Sequence, residues 1–256
     1  MGNTKNMQNA RAFHASISRF ERKYLLTSEQ YSILKEEIGE RMQPDLYPTS
    51  TISSLYFDTP SETLLTYALS GATFKEKLRI RTYTDLSPDA EVFVELKRKS
   101  NGTSYKRREM MTYAQAQALI TDNTPPSLES ENKNIISEIQ YFLQKYENLA
   151  PKLYIDYDRE SFVINEEKYD IRLTVDTNIR CRDYDAELSE NIIDRNLHIM
   201  EVKSPITVPL WFARTLSNHG IYETSVSKYK TAYAVSKEKE ISRLKAKYTT
   251  ERAFNV

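Results

Sequence analysis

Glycine is scarce, with 5 in 256 residues. Neither G-x-x-x-x-G-K-[ST] nor G-x-G-x-x-G occurs, so no glycine-rich phosphate loop can be assembled and any nucleotide must be held by side chains. The single cysteine, Cys181, excludes an internal disulfide and fits a reducing compartment. No apolar run approaches the roughly 18 residues of a membrane span, and Met1 to Ser18 has no apolar core of signal-peptide length. The chain is therefore expected to be soluble and cytoplasmic. Net charge is absent too, with 36 basic and 36 acidic residues, which argues against a nucleic-acid coat, a role that shows as a basic excess. The three histidines, His14, His198 and His219, have no metal-ligand spacing and are expected in structural or surface positions.

What the chain does have is alternation. Charged residues recur two or four positions apart in six short segments: Arg19, Glu21 and Lys23; Lys77, Arg79 and Arg81; Glu95, Lys97 and Lys99; Lys106 and Arg108; Arg172 and Asp176; Glu201 and Lys203. Residues two apart in a strand share a face, so each segment offers a charged face backed by an apolar one, such as Leu78 and Ile80 or Val94 and Leu96. This pattern predicts an inside-out barrel whose polar faces look inward. With Asp58, Arg159 and Lys228 added, the inward set holds thirteen basic residues against five acidic ones, a surplus of eight in a chain of net charge zero. Such a lumen suits a long, multiply charged anion: Arg forks and Lys ammonium groups make charge-assisted hydrogen bonds to phosphate oxygens. The interleaved carboxylates Glu21, Glu95 and Glu201 would neutralise neighbours or hold a hard divalent cation.

The coarse order of elements is β-rich. A strand over 17–25 leads to a helix over 28–41 that Thr27 and Gln30 cap, and Pro44 and Pro48 break that helix. Strands follow over 51–58, 75–84, 90–99 and 105–111, the last two joined by a turn at Ser100-Asn101-Gly102-Thr103. Thr112 and Gln115 start a short helix to Thr121. Residues 131–147 form an amphipathic helix expected to lie outside the barrel. Strands over 152–164, 168–182 and 196–203 precede helical stretches over 210–219 and 226–244. Tyr56 and Asp58 are expected to orient basic neighbours, Trp211 and Phe212 to plug one side of the barrel, and Tyr83 and Tyr105 are candidates for stacking on adenine.

The runs Arg19-Phe20-Glu21-Arg22-Lys23-Tyr24, Ser54-Leu55-Tyr56-Phe57-Asp58-Thr59, Lys77-Leu78-Arg79-Ile80-Arg81, Val94-Glu95-Leu96-Lys97, Lys106-Arg107-Arg108, Tyr157-Asp158-Arg159-Glu160, Met200-Glu201-Val202-Lys203 and Ser227-Lys228-Tyr229 resemble the catalytic domain of the vacuolar transporter chaperone (VTC) family. That family belongs to the triphosphate tunnel metalloenzymes, which are CYTH-like. The match runs in order from about Ser18 to Ala234.

The resemblance implies an α+β fold, an eight-stranded antiparallel β-barrel tunnel with helices packed outside. It would occupy 16–245 as a single domain between a disordered tail, 1–15, and a C-terminal tail, 246–256. It implies a polyphosphate polymerase that transfers the γ-phosphate of ATP to a growing inorganic polyphosphate chain and releases ADP, with Mn²⁺ or Mg²⁺. Carried over by position, the catalytic set would be Arg79, Arg81, Arg159 and Glu201. Lys23, Lys97, Lys106, Arg108, Arg172, Lys203, Ser227 and Lys228 would bind phosphate or nucleotide. Glu201 would hold the metal, with Glu21 and Glu95 as further candidates.

The wider superfamily often opens with Glu-x-Glu-x-Lys, and here Arg19 replaces the first Glu. This removes a metal ligand and tilts the site toward phosphate gripping. Two alternatives stand beside the polymerase: a metal-dependent triphosphatase acting on nucleotides, tripolyphosphate or RNA ends, and a non-catalytic module that binds polyphosphate or inositol phosphate. The implied partners are ATP and inorganic polyphosphate or another polyanion, with no nucleic acid, and a separately encoded membrane partner is conceivable because related proteins work beside membrane-spanning ones.

Overall fold

The computed structural model describes residues 20–39, 41–101, 103–126, 133–164, 170–204 and 207–238. The expectations for Arg19, His14, Gly102 and the tails 1–15 and 246–256 fall outside these residues.

Local signals place most elements. Strand β1 (Phe20–Thr27) runs into helix α1 (Ser28–Ile38), whose capping box is the expected one. Thr27 Oγ1 accepts from Gln30 N at 3.1 Å, and the Gln30 side chain accepts from Thr27 N at 3.0 Å. Strand β2 (Met42–Asp58) starts well before the expected 51 and runs through Pro44 and Pro48, while the helix they were expected to break ends ahead of them at Ile38. Its register with β3 (Phe74–Thr82) covers only Ser53–Phe57, so the prolines lie beyond that pairing and cost no bond to β3.

The short helix α2 (Thr63–Leu69) has no sequence signal of its own. It is started from a distance: the buried Asp58 carboxylate accepts from Leu64 N at 2.9 Å and Leu65 N at 3.0 Å. Asp58 therefore serves as a helix cap, not as the expected partner of a basic side chain.

Strands β4 (Glu91–Ser100) and β5 (Thr103–Thr112) form the predicted hairpin. Ser100 pairs with Thr103, and Asn101 takes the left-handed conformation that such a turn requires, with φ of 46°. Helix α3 (Tyr113–Asp122) carries the second expected capping box, and α4 (Lys133–Lys145) follows. Strands β6 (Ala150–Ile164) and β7 (Arg172–Asp183), the two-residue β8 (Glu190–Asn191) and β9 (Leu197–Ser204) precede α5 (Leu210–Asn218) and a last helix, α6, over 228–238.

The hydrogen-bonded strand order is β1-β9-β7-β6-β2-β3-β4-β5, with β8 on β7, and the pairings of β2 with β3, β3 with β4 and β4 with β5 are antiparallel. The path ends at β1 and β5 among the described residues. The fold is thus an antiparallel, sheet-rich α+β fold, and closure into an eight-stranded barrel is not part of this hydrogen-bond pattern. No helix among the described residues is long and apolar enough to cross a membrane.

The chain divides into two compact units, one from Met1–Pro48, Glu160–Val175 and Ile199–Ser225, the other from Thr49–Arg159, Asp176–His198 and Val226–Val256. Each has its own core. In the first, Leu26, Leu34, Ile38, Leu173, Val202 and Phe212 pack together, with Trp211 against them. In the second, Leu78, Ile80, Val94 and Leu96 pack against Leu64 of α2, Ala116 and Leu119 of α3, and Ile139 and Phe142 of α4. The apolar stripe of α4 is consumed by this packing.

Candidate functional site

In the second unit, register decides which residues share a face. Tyr56 lies opposite Arg79, Arg79 opposite Glu95, and Glu95 opposite Arg108, while Ser54 lies opposite Arg81. The neighbouring row is Lys77, Lys97 and Lys106, three lysines directly across from one another with no carboxylate in the row. Like charges in direct cross-strand positions repel, and of the three Lys106 is drawn to Glu95 in the adjacent row. Leu78, Ile80, Val94 and Leu96 take the other face, as the alternation predicts.

Glu95, almost wholly buried, is the hub of this face. Arg79 Nε and Nη2 reach Glu95 Oε2 at 2.7 and 2.6 Å, and Lys106 Nζ lies 2.7 Å from Oε1. Arg81 and Arg108 stand further out, at 3.9 and 3.7 Å. Burial opposes its charge, but Arg79, Arg81 and Lys106 outweigh burial and hold the carboxyl well below the usual carboxylate range. A divalent cation would have to join four basic groups here, so the geometry makes Glu95 a counter-charge.

Glu95→Gln is expected to destabilise the empty protein by roughly 3 kcal/mol, the usual cost of breaking a buried ion pair. Tripolyphosphate should restore much of that loss by linkage. Because the folded carboxyl titrates below its unfolded value, its stabilisation is present above the ordinary carboxylate range and is lost as pH falls. Denaturant titrations across acid pH should therefore give a flatter limb for the variant.

Lys106 responds oppositely. Loss of water around the ammonium is the main cause and the Arg79 and Arg81 charges add to it, pulling it down to about 8 even with Glu95 beside it, though 44% of the side chain stays exposed and softens the effect. Between pH 7 and 9 it loses its charge, and tripolyphosphate affinity should fall over that range. Lys106→Arg, which stays charged, should remove this component while the ligand's own ionisation remains common to both proteins; calorimetric titrations at the two pH values measure it.

A second buried carboxylate organises the rest of the face. Asp176 of β7 takes Arg159 of β6 in a bidentate pair, Nε to Oδ1 at 2.6 Å and Nη2 to Oδ2 at 2.7 Å, and also pairs with Lys228 Nζ. Tyr157 joins the two groups: its hydroxyl accepts from Arg81 Nη2 at 3.1 Å, and its ring lies under Lys228 Nζ at 4.9 Å and Arg159 Cζ at 5.3 Å. Ser227 stands at the start of α6, where its Oγ accepts from Lys230 N at 3.5 Å and keeps its proton for another acceptor.

The first unit holds the remaining residues. Lys23 Nζ sits between two carboxylates, Glu201 at 3.0 Å and Glu21 at 3.5 Å, and Lys203 Nζ is 3.9 Å from Glu21. Burial opposes the Lys23 charge, yet Glu201 and Glu21 hold it above its ordinary value. Arg172, expected among the phosphate ligands, is engaged by Asp45 at 2.6 Å.

No group of three or more His, Cys, Asp or Glu gathers among the described residues, so an all-protein cage is not offered. The convergence of Glu201 and Glu21 on one cation does fit a hard ion that takes one or two carboxylates and completes its shell with water and phosphate oxygens.

A cavity of about 270 Å³ lies on the opposite face of β3–β5, lined by Phe74, Leu96, Arg98, Tyr105, Arg107 and Glu138. Tyr105, opposite Arg98 in register, faces this side and not the cationic one, so it is no platform for adenine there. Tyr83 meets Phe93 edge-on at 6.0 Å, and the Arg108 guanidinium lies 3.4 Å from the Phe93 ring.

A family model described as the VTC domain matches residues 18–237, most of the chain. The protein belongs to the VTC domain family. No curated protein matches it by sequence. Among solved structures it is similar to a provisionally assigned adenylate cyclase from Bacillus halodurans, at 16% identity and a TM-score of 0.49 over 81% of this chain and 92% of that one. A Hippeastrum protein, provisionally an adenylyl cyclase and described as having a dominant triphosphatase activity, is similar at 14% identity and 0.49, over 85% and 96%. A provisionally assigned adenylate cyclase from Vibrio parahaemolyticus follows at 12% and 0.43, over 83% and 96%.

Within the VTC domain, alternation places Glu95 and Asp176 among the cations but does not show how many cations each carboxylate serves. The signal available for Glu95 was its position, an acid on a strand face that otherwise reads Lys97 and Lys99.

Proposed function

We propose that this VTC domain is a polyphosphate polymerase, an ATP-polyphosphate phosphotransferase that moves the γ-phosphate of ATP onto an inorganic polyphosphate chain and releases ADP. The observation that supports the reading is the row Lys77, Lys97 and Lys106 beside the Arg79–Glu95–Arg108 row, a face whose cations outnumber its carboxylates even with Glu95 serving Lys106 and the arginines. Family membership supplies the reaction class.

In this reading Arg79, Arg81 and Arg159 hold the oxygens of the γ-phosphoryl group, each already fixed by Glu95, Tyr157 or Asp176 and so needing little reorganisation. Lys97, Lys106, Arg108 and Lys228 grip neighbouring phosphates, with Lys23, Lys203 and Ser227 as further ligands. The terminal oxygen of the chain attacks phosphorus in line. A new P–O bond forms, the bond from the γ-phosphorus to the β,γ-bridging oxygen breaks, and ADP carries away the electron pair. That attacking oxygen is already ionised, so no general base is required, and positioning with charge neutralisation does the work. Glu201, with Glu21, would hold Mn²⁺ or Mg²⁺, which supplies further neutralisation of phosphate oxygens.

The test is ATP turnover with and without added polyphosphate in the presence of Mn²⁺. A polymerase releases more ADP when acceptor chains are added, with little orthophosphate. A triphosphatase releases orthophosphate regardless of acceptor, and a binding module releases neither.

A further inference from the structure

Tyr56 belongs to the cationic face, but its hydrogen bonding is incomplete in a particular way. Its hydroxyl, on a side chain only 7% exposed, accepts from Arg79 Nη1 at 2.7 Å. Its ring is fixed by Tyr229, centroid to centroid 4.9 Å, so the hydroxyl is held on the Arg79 fork. A phenol that accepts one hydrogen bond still has a proton to donate. Two other buried tyrosines spend theirs on carboxylates, Tyr229 on Asp58 at 3.1 Å and Tyr146 on Glu76 at 2.8 Å. Tyr56 has no such acceptor among the described residues. The groups that crowd it are Arg79 and Arg81 of β3, both donors, and Glu95 is turned to the cations.

A buried donor without an acceptor costs free energy, and the missing group must be an anion or a neutral oxygen that enters the face. We propose that Tyr56 is a direct ligand of the bound polyanion, taking a proton contact from Arg79 with one lone pair and giving its own proton to a phosphate oxygen held by the same guanidinium. The inference rests on the reading of this face as a phosphate grip. Arg79 and Tyr56 then form a two-pronged clasp in which one phosphate group receives a charged and a neutral donor. In the empty face burial opposes the phenolate, but Arg79 and Arg81 favour it and draw the phenol below its ordinary value. An arriving anion offsets that pull and leaves the phenol protonated to donate.

The test is a double-mutant cycle read by calorimetric titration of tripolyphosphate into the full chain. Tyr56→Phe keeps the ring and its Tyr229 contact, and an unchanged melting temperature confirms that the fold is kept. Loss of a hydrogen bond to a charged group should weaken affinity by about tenfold. Introduced into Arg79→Gln, the same change should weaken binding again by a similar factor, because the hydroxyl reaches phosphate without the guanidinium. Affinity of Tyr56→Phe within about twofold of the parent would overturn the proposal, as would an effect that vanishes in the Arg79→Gln background, since Tyr56 would then act only by positioning Arg79. Failure of the parent protein to bind tripolyphosphate at all would overturn the phosphate-grip reading, and this inference with it.

Discussion

Glu201→Ala is expected to cut polymer formation by about a hundredfold or more while leaving metal-free tripolyphosphate binding as tight as in the parent, or tighter. Glu201 is mostly buried and faces Lys23 at 3.0 Å, so its removal takes a negative charge away from a basic neighbour. An anion then meets a more positive surface, and binding does not suffer. Turnover should suffer, because under the proposed function a divalent ion that neutralises phosphate oxygens would lose its main carboxylate. High Mn²⁺ should recover part of the activity through Glu21, which shares Lys23 at 3.5 Å. Steady-state rates over a Mn²⁺ series, paired with metal-free calorimetry, measure both halves. Full activity in the variant would place the metal away from Glu201.

Arg79→Ala and Arg81→Ala should each slow turnover by about a hundredfold, or roughly 3 kcal/mol, as loss of one preorganised donor does. Both side chains are braced before any ligand arrives, Arg79 by Glu95 and Tyr56, Arg81 by Ser54 Oγ at 3.2 Å and Tyr157 at 3.1 Å. Such bracing is what makes a donor more effective toward developing charge than a surface lysine would be. Replacement by Lys should recover little, since an ammonium cannot reproduce the fork that spans Glu95 or Tyr157 and a phosphate oxygen together. The effect should fall on kcat more than on KM, because neighbouring cations still hold the rest of the chain.

Much of this was legible in the sequence because it is encoded locally. The capping boxes at Thr27 and Thr112, the hairpin turn at Asn101 and the two-residue alternation of Lys77 to Arg81 each depend on residues a few positions apart. What was not legible depends on partners far along the chain. Helix α2 starts on the Asp58 side chain, six and seven residues before the amides it caps. Strand β2 runs on through two prolines beyond its pairing with β3, an extent that no local pattern states. Tyr105 looks like a platform beside Lys106, yet register turns it to the α4 side. Glu95 and Asp176 read as single acids, and only tertiary placement shows that one serves four cations across the strands and the other one cation from β6 and one from α6. Arg172 sits in the right alternation but meets Asp45.

The most direct measurement follows the labelled γ-phosphate. Pure protein is incubated with ATP carrying a radioactive γ-phosphate and Mn²⁺, and the products are resolved on a high-percentage polyacrylamide gel. The account predicts a ladder of labelled inorganic polyphosphate that lengthens with time, with ADP accumulating in step, and no ladder from Arg79→Ala over the same interval. Label recovered only as orthophosphate would contradict it, because water would then be the acceptor.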